Sequence, residues 1–252
     1  MESTAVVKAF ALLEAAAGAP QGLALGELAS LVGLNKPTAH RILKTLSAIG
    51  YVEKSGFGHY RQTAQVRRLV GDADDQLLIS SAAPQLDKLH RQTRETVNLG
   101  VLRSGRIIYL QVLESPQPLR RVVTPNSVDP FYCTALGRAI VAFLSDAQRD
   151  LLLRSGPWEP RTAHTVVDPK ELRTELDRVA RQGYAIEIDQ TDLGVTCIGA
   201  PIIRHGTPVA AVSISLPSAR ADAAAEKALI AAVRATAGRV EKQLTRAGKM
   251  TP

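Results

Sequence analysis

Between Leu25 and Gln62 the sequence leaves the chain few ways to fold. Leu25 to Leu31 reads as a short apolar helix, and Val32-Gly33-Leu34 turns after it. Asn35 stands where a helix cap belongs, and Pro37 is tolerated in the first turn because no backbone donor is needed there. The helix opened by Asn35 ends near Gly50. Tyr51 to Lys54 and His59 to Gln62 read as two short strands around Ser55-Gly56-Phe57-Gly58, a hairpin. Ahead of them Ser3 can cap a helix reaching Ala17, with Val6, Val7, Phe10, Leu13 and Ala17 at helical spacing and Gly18 as its stop. The order is helix, helix, turn, helix, hairpin.

The third helix carries the chemistry. Stepping 100° per residue from Ala39, the side chains of Ala39, Ile42, Leu43 and Leu46 fall within an arc of about 100°, which is a buried stripe. Arg41 and Lys44 are centred opposite, His40 and Thr45 flank them, and Lys36 and Thr38 sit near the helix start. A packed back and a cationic front, after a short helix and a glycine turn, make the layout of a recognition helix. Arginine can grip a guanine edge with two hydrogen bonds, while lysine and threonine suit phosphates. The hairpin adds Lys54, His59 and Arg61 at its rim. Tyr51 and Tyr60 are expected to pack the hairpin rather than stack on bases.

Charge distribution agrees. The 252 residues carry a formal charge of +7, and residues 1–70 hold 8 Lys/Arg against 4 Asp/Glu. More than half of the excess thus lies in the first quarter of the chain, which suits a polyanionic partner. Cys133 and Cys197 are the two cysteines, too few and too far apart for a disulfide framework or a metal cluster. No apolar run reaches the roughly 18 residues of a membrane helix. The first residues lack a basic segment, and Lys8 and Glu14 interrupt their apolar stretch, so no signal peptide is expected. Double-stranded DNA in the cytoplasm is the expected partner, with no membrane, metal or cofactor.

The remainder reads as a second domain. Residues 1–63 form the first, residues 64–80 a charged linker that is helical in part, and residues 81–252 the second. Its expected elements begin with a helix from Pro84 to Gln92 and a hairpin turning at Ser104-Gly105. Helices at Thr134–Leu144, Asp146–Arg154 and Asp168–Gln182 follow, the last capped by Asp168. Strands at Tyr184–Ile188, Val195–Ile203 and Pro208–Leu216 precede an Ala-rich helix from Ser218 to Leu244. Hairpins with helices before, between and after them imply an α+β fold on an antiparallel sheet. In the last strand Ala210, Val212, Ile214 and Leu216 form one apolar face. Ser213 and Ser215 share the other with Val209 and Ala211, a face that fits a pocket floor or a solvated surface equally well.

The stretch LALGELASLVGLNKPTAHRILKTLSAIGYVEKSGFGHY resembles the winged helix of IclR-type bacterial transcription regulators. RETVNLGVLRSGRIIYLQVLES, FYCTALGRAIVAFL and GYAIEIDQTDLGVTCIGAPIIRHGTPVAAVSISLP resemble that family's effector domain in order and spacing. The resemblance implies a winged helix-turn-helix followed by a GAF-like (profilin-like) α/β effector domain on an antiparallel sheet. It implies homodimers or dimers of dimers and control by a small organic or aromatic acid, with repression the expected mode. It places effector contacts at Ala135, Leu136, Gly137, Glu187, Cys197, Ser213 and Ser215. The start of the Thr134–Leu144 helix suits a carboxylate, and serine hydroxyls can donate to the same group. Glu187 would repel an anion, so it faces a ligand donor or is protonated by burial. Three positions depart from the family pattern. Asp189-Gln190 stands where two acidic residues are usual, Arg138 where lysine is common, and Arg61-Gln62 where Leu-Gly follows the wing tyrosine.

Two rival readings remain. One is an enzyme with Cys133 or Ser213 as nucleophile and His164 or His205 as base. No nucleophile elbow, metal motif, P-loop or dinucleotide fingerprint accompanies them. The other is a ligand sensor whose helices meet protein rather than DNA.

Overall fold

The computed structural model describes residues 4–17, 19, 22–55, 58–63, 66 and 72–247, which divide into two compact units between Asp75 and Gln76. In the first unit α1 spans Thr4–Ala17, β1 Leu23–Ala24, α2 Leu25–Leu31, α3 Lys36–Ala48, β2 Val52–Lys54 and β3 His59–Gln62. The Asn35 carboxamide accepts from the Thr38 N–H at 2.9 Å, so the expected cap opens α3. Antiparallel β2 and β3 pair Val52 with Gln62 and Lys54 with Tyr60. The expected turn residues Gly56 and Phe57 lie outside the described residues, as do Ser3 and Gly18. The two-residue β1, which no pattern announces, adds a third strand against β3.

Leu12, Ala16, Leu28, Ala29, Ala39, Leu43, Leu46, Val52 and Tyr60 form the core of this unit. On α1 the burial differs from expectation. Leu12 and Ala16 point inward, while Val6, Val7 and Phe10 are 53%, 56% and 59% exposed. The helix is apolar on two sides, and spacing alone does not say which side meets the core.

In the second unit α4 spans Asp72–Thr93, β4 Thr96–Arg103, β5 Arg106–Leu113 and β6 Val128–Pro130. Next come α5 at Ala135–Val141, α6 at Asp146–Leu153, α7 at Pro169–Gln182 and β7 at Ala185–Ile188. The unit closes with β8 at Val195–Arg204, β9 at Thr207–Pro217 and α8 at Ala223–Ala247. The helix expected from Pro84 begins twelve residues earlier and carries Pro84 within it. Buried Leu78 and Ala82, ahead of the proline, pack into the same core as Leu86 and Leu89 behind it. That burial outweighs the backbone bond that proline forfeits.

The strands form one antiparallel sheet in the order β6-β5-β4-β9-β8-β7. One face, with Val97, Leu99, Ile198, Ala200, Val212 and Ile214, packs against Leu86 and Leu89 of α4 and Val233 and Val240 of α8. The opposite face receives α5 at an unusually close distance. A Cβ at Gly199 of β8 would stand 2.8 Å from the Ala135 carbonyl oxygen, and one at Gly100 of β4 would stand 2.9 Å from Leu136 Cδ1. The missing side chains on the sheet admit the start of the helix.

Candidate functional site

Of the nine residues expected at the nucleic-acid surface, Lys36, His40, Arg41, Lys44 and Thr45 are exposed on α3 and Thr38 is half-buried. Lys36 lays its stem across α2, with Cε 3.3 Å from the position a Gly26 Cβ would take. Thr45 Oγ1 donates to the Arg41 carbonyl at 3.1 Å, so its hydroxyl is partly engaged by the helix itself. Arg41 and Lys44 make no ion pair among the described residues, and α3 carries no acidic side chain. The wing is less free. Arg61 donates to Glu53 at 2.7 Å across the hairpin, and Lys54 Nζ lies 5.7 Å from the centre of the Tyr60 ring. His59 is half-buried, and Tyr60 is a core residue. The cationic surface is therefore concentrated on the outward side of α3.

Four of the seven expected effector residues lie side by side on the sheet face beneath α5. Register places Glu187 of β7 opposite Cys197 of β8, Cys197 opposite Ser215 of β9, and Ser215 opposite Thr96 of β4. The neighbouring row runs Ala185, Gly199, Ser213, Asn98. All four expected side chains are buried, so Ser213 and Ser215 do not form a solvated face. Cys197 Sγ donates to Ser215 Oγ at 3.2 Å. Ala135 and Leu136 meet the same face through the glycine contacts described above. Gly137 instead abuts the Phe131 backbone, and its N–H is taken by the Thr134 cap at 3.0 Å.

Glu187 is satisfied within the chain. Its Oε2 accepts from the N–H of Gln190 at 3.0 Å and its Oε1 from Thr191 Oγ1 at 3.0 Å. Burial raises its pKa above the usual 4.5, opposed by hydrogen bonds from Cys197, Gln190 and Thr191. A carboxyl that holds its proton more tightly when folded loses stability for the chain as pH rises above its unfolded value. Glu187→Gln should remove that loss. Urea denaturation should show the variant's stability relative to wild type improving as pH rises above about 4.5. The acceptor oxygen lost in the substitution gives a constant offset, so an offset without a slope would show that Glu187 titrates normally.

The sequence matches the profile of the IclR helix-turn-helix domain over residues 5–56 and that of the bacterial transcriptional regulator IclR C-terminal domain over residues 72–242. This chain belongs to the IclR family. It is 34% identical over 242 residues to the glycerol operon regulatory protein of Streptomyces coelicolor, covering 94% of each chain. It is 32% identical over 248 residues to the DNA-binding transcriptional repressor YiaJ of Escherichia coli, covering 96% of this chain and 88% of that one. Among solved structures, an IclR regulator from Silicibacter sp. TM1040 superposes with a TM-score of 0.75 at 27% identity, over 95% of this chain and 96% of that one.

Within this IclR-family chain two residues beside the expected row escaped sequence reasoning. Arg121 lies in the segment between β5 and β6, which has no periodic pattern. Its guanidinium joins Asp192 at 2.9 Å, Asp129 at 3.0 Å and the Tyr109 hydroxyl at 3.2 Å. Its positive charge acts on both Cys197 and Glu187. It also lines a cavity of about 260 Å³ with Asp129, Arg161 and Asp192. Asn98 is the third residue of β4, where it passes for an ordinary strand position. The partnership with Ser213 becomes visible only once β4 and β9 are in register.

The rival nucleophiles fare poorly. Burial pushes the Cys133 thiol up to about 12, so it is protonated at neutral pH. Ser213 Oγ meets the Asn98 carboxamide at 3.2 Å rather than an imidazole.

Proposed function

We propose that this chain is a transcriptional repressor that holds a pseudo-palindromic operator through paired α3 helices and responds to a small organic or aromatic acid in its second unit. The observation carrying this reading is the outward side of α3, with Arg41 and Lys44 free of acidic partners among the described residues and Ala39, Leu43 and Leu46 buried behind them. A homodimer would seat two such helices in major grooves about 34 Å apart, one turn of DNA. The exposed Val6, Val7 and Phe10 of α1 favour a second copy over a solitary chain. A dimer of dimers is compatible with the same surface. The stretch from the wing to α4 would connect the two units and pass the effector's influence to the wings. An effector can exert it only by binding one arrangement more tightly than the other. YiaJ of Escherichia coli is a DNA-binding transcriptional repressor, which supports the mode of control. The place of action follows from the partner, the cytoplasm. The protonated Cys133 and the engaged Ser213 favour a regulator without catalytic activity.

For the ligand, a buried row of hydroxyl, thiol and carboxamide groups beside the Arg121 charge suits a small molecule with an anionic end and a separate polar group. The test of the DNA reading is fluorescence anisotropy with the duplex flanking the chain's own gene. Arg41→Ala should cost about 1–3 kcal/mol of specific affinity and relax discrimination among sequences. Lys44→Ala should weaken every duplex alike and lower the salt slope by about one. Binding indifferent to salt, or unchanged in Arg41→Ala, would favour a protein partner instead.

A further inference from the structure

One side chain in the polar row has an unmet requirement. Asn98 is wholly buried on β4, opposite Ser213. Its Nδ2 donates to Ser213 Oγ and to Ser215 Oγ, each at 3.2 Å. These two bonds fix the plane of the carboxamide. Its Oδ1 is buried and meets no donor among the described residues. An amide oxygen withdrawn from water costs free energy until a donor reaches it.

The neighbouring donors are directed elsewhere, and the Ser213 and Ser215 hydroxyls meet Asn98 at its Nδ2 end. The Cys197 thiol donates to Ser215 Oγ, and the Thr191 hydroxyl and the Gln190 N–H go to Glu187. As the carboxamide is placed, no donor of the described residues reaches Oδ1, which leaves it open to a donor from a ligand. Resting on the reading that this row lines the effector site, we propose that Asn98 reads a hydroxyl group on the bound acid through Oδ1. The effector is then a hydroxy acid, with its hydroxyl at Asn98. An oxo acid of the same skeleton would set one lone pair against another at Oδ1. A deoxy acid would offer only C–H. Both should bind more weakly than the hydroxy form.

The experiment compares matched probes by calorimetry on the full chain: lactate, pyruvate and propionate; mandelate, phenylglyoxylate and phenylacetate; 4-hydroxybenzoate and benzoate. In any set that binds, the hydroxy member should exceed the others about tenfold in affinity, the size of one net hydrogen bond. Asn98→Leu should reduce that preference to near unity. Should that variant fail to fold, Asn98→Ala decides, because it removes Oδ1 without adding bulk and should lose the preference likewise. Equal binding of hydroxy and deoxy members in the wild type would overturn the inference while leaving a small-molecule site intact; a buried water satisfying Oδ1 would give this result. Preference for the oxo member would overturn it too, as an exchange of the carboxamide ends would predict. Survival of the hydroxy preference in Asn98→Leu would assign the recognition to another residue. If no probe binds folded wild-type protein, the acid-effector reading falls, and the role of Asn98 with it.

Discussion

Gly137→Val should abolish the folded second unit, or leave a remnant that melts far below the wild type. A Cβ at this position would stand 2.3 Å from the Phe131 carbonyl oxygen and 2.4 Å from its Cα. Both are backbone atoms, which have no rotamer into which to retreat. Phe131 is itself buried, with its ring edge-on to Trp158 at 5.6 Å. The helix is also blocked on its other side, where Ala135 already rests on Gly199. Overpacked cores commonly lose about 1–3 kcal/mol, and a helix caught between two immovable backbones should exceed that range. Even Gly137→Ala should be severe. Gly238→Ala is the control, since nothing lies within 4 Å of that Cβ on α8 and the exchange should stabilise the helix by up to about 1 kcal/mol. Thermal melts of the three proteins suffice. A near-normal melt for Gly137→Ala would show that α5 is not held as tightly as the contacts require.

Arg138→Ala should be the second large loss, about 3 kcal/mol in urea denaturation. This arginine has no exposed surface. Its Nε donates to the Tyr132 carbonyl at 2.8 Å, and one terminal nitrogen donates to the Gln190 carboxamide oxygen. Its other terminal nitrogen lies 3.8 Å from Glu175, whose side chain is 31% exposed, so the ion pair is only a minor part of the effect. Most of the cost is the buried Tyr132 carbonyl left without its donor, the bond lost to the half-buried Gln190, which keeps the Val166 N–H, and the space left behind. Two departures from the family pattern, arginine at 138 and glutamine at 190, are thus one contact. Arg138→Lys alone should weaken the fold, because an ammonium cannot reproduce the fork of the guanidinium. Adding Gln190→Glu should restore part of the loss, with a coupling of about 1 kcal/mol or more in a double-mutant cycle. Strict additivity would show that the two positions vary independently.

The two units were legible in the sequence to different depths. In α3 the cap, the buried stripe and the cationic front are all local, set by spacing along one helix, and Asn35, Leu43 and Arg41 stand as expected. The hairpins were legible for the same reason. The exposure of Phe10 was not, because a helix with two apolar sides names no winner until its neighbours are placed. For Ser213 and Ser215, alternation along β9 identifies a shared face but leaves open whether water or α5 covers it. That depends on Gly199 and Gly100, which lie on other strands. Arg121 reaches Asp192 and Asn98 reaches Ser213 across 71 and 115 residues of sequence, a separation no local pattern spans.

The borders of the six-stranded sheet carry a consequence for assembly. Its outermost strands, β6 and β7, are only three and four residues long, and β6 ends on Pro130, which has no N–H to offer. A second copy would find almost no ladder there to zip onto. Growth by strand recruitment, the usual road to fibrils, is closed at both margins. Association of these effector units is left to side-chain surfaces.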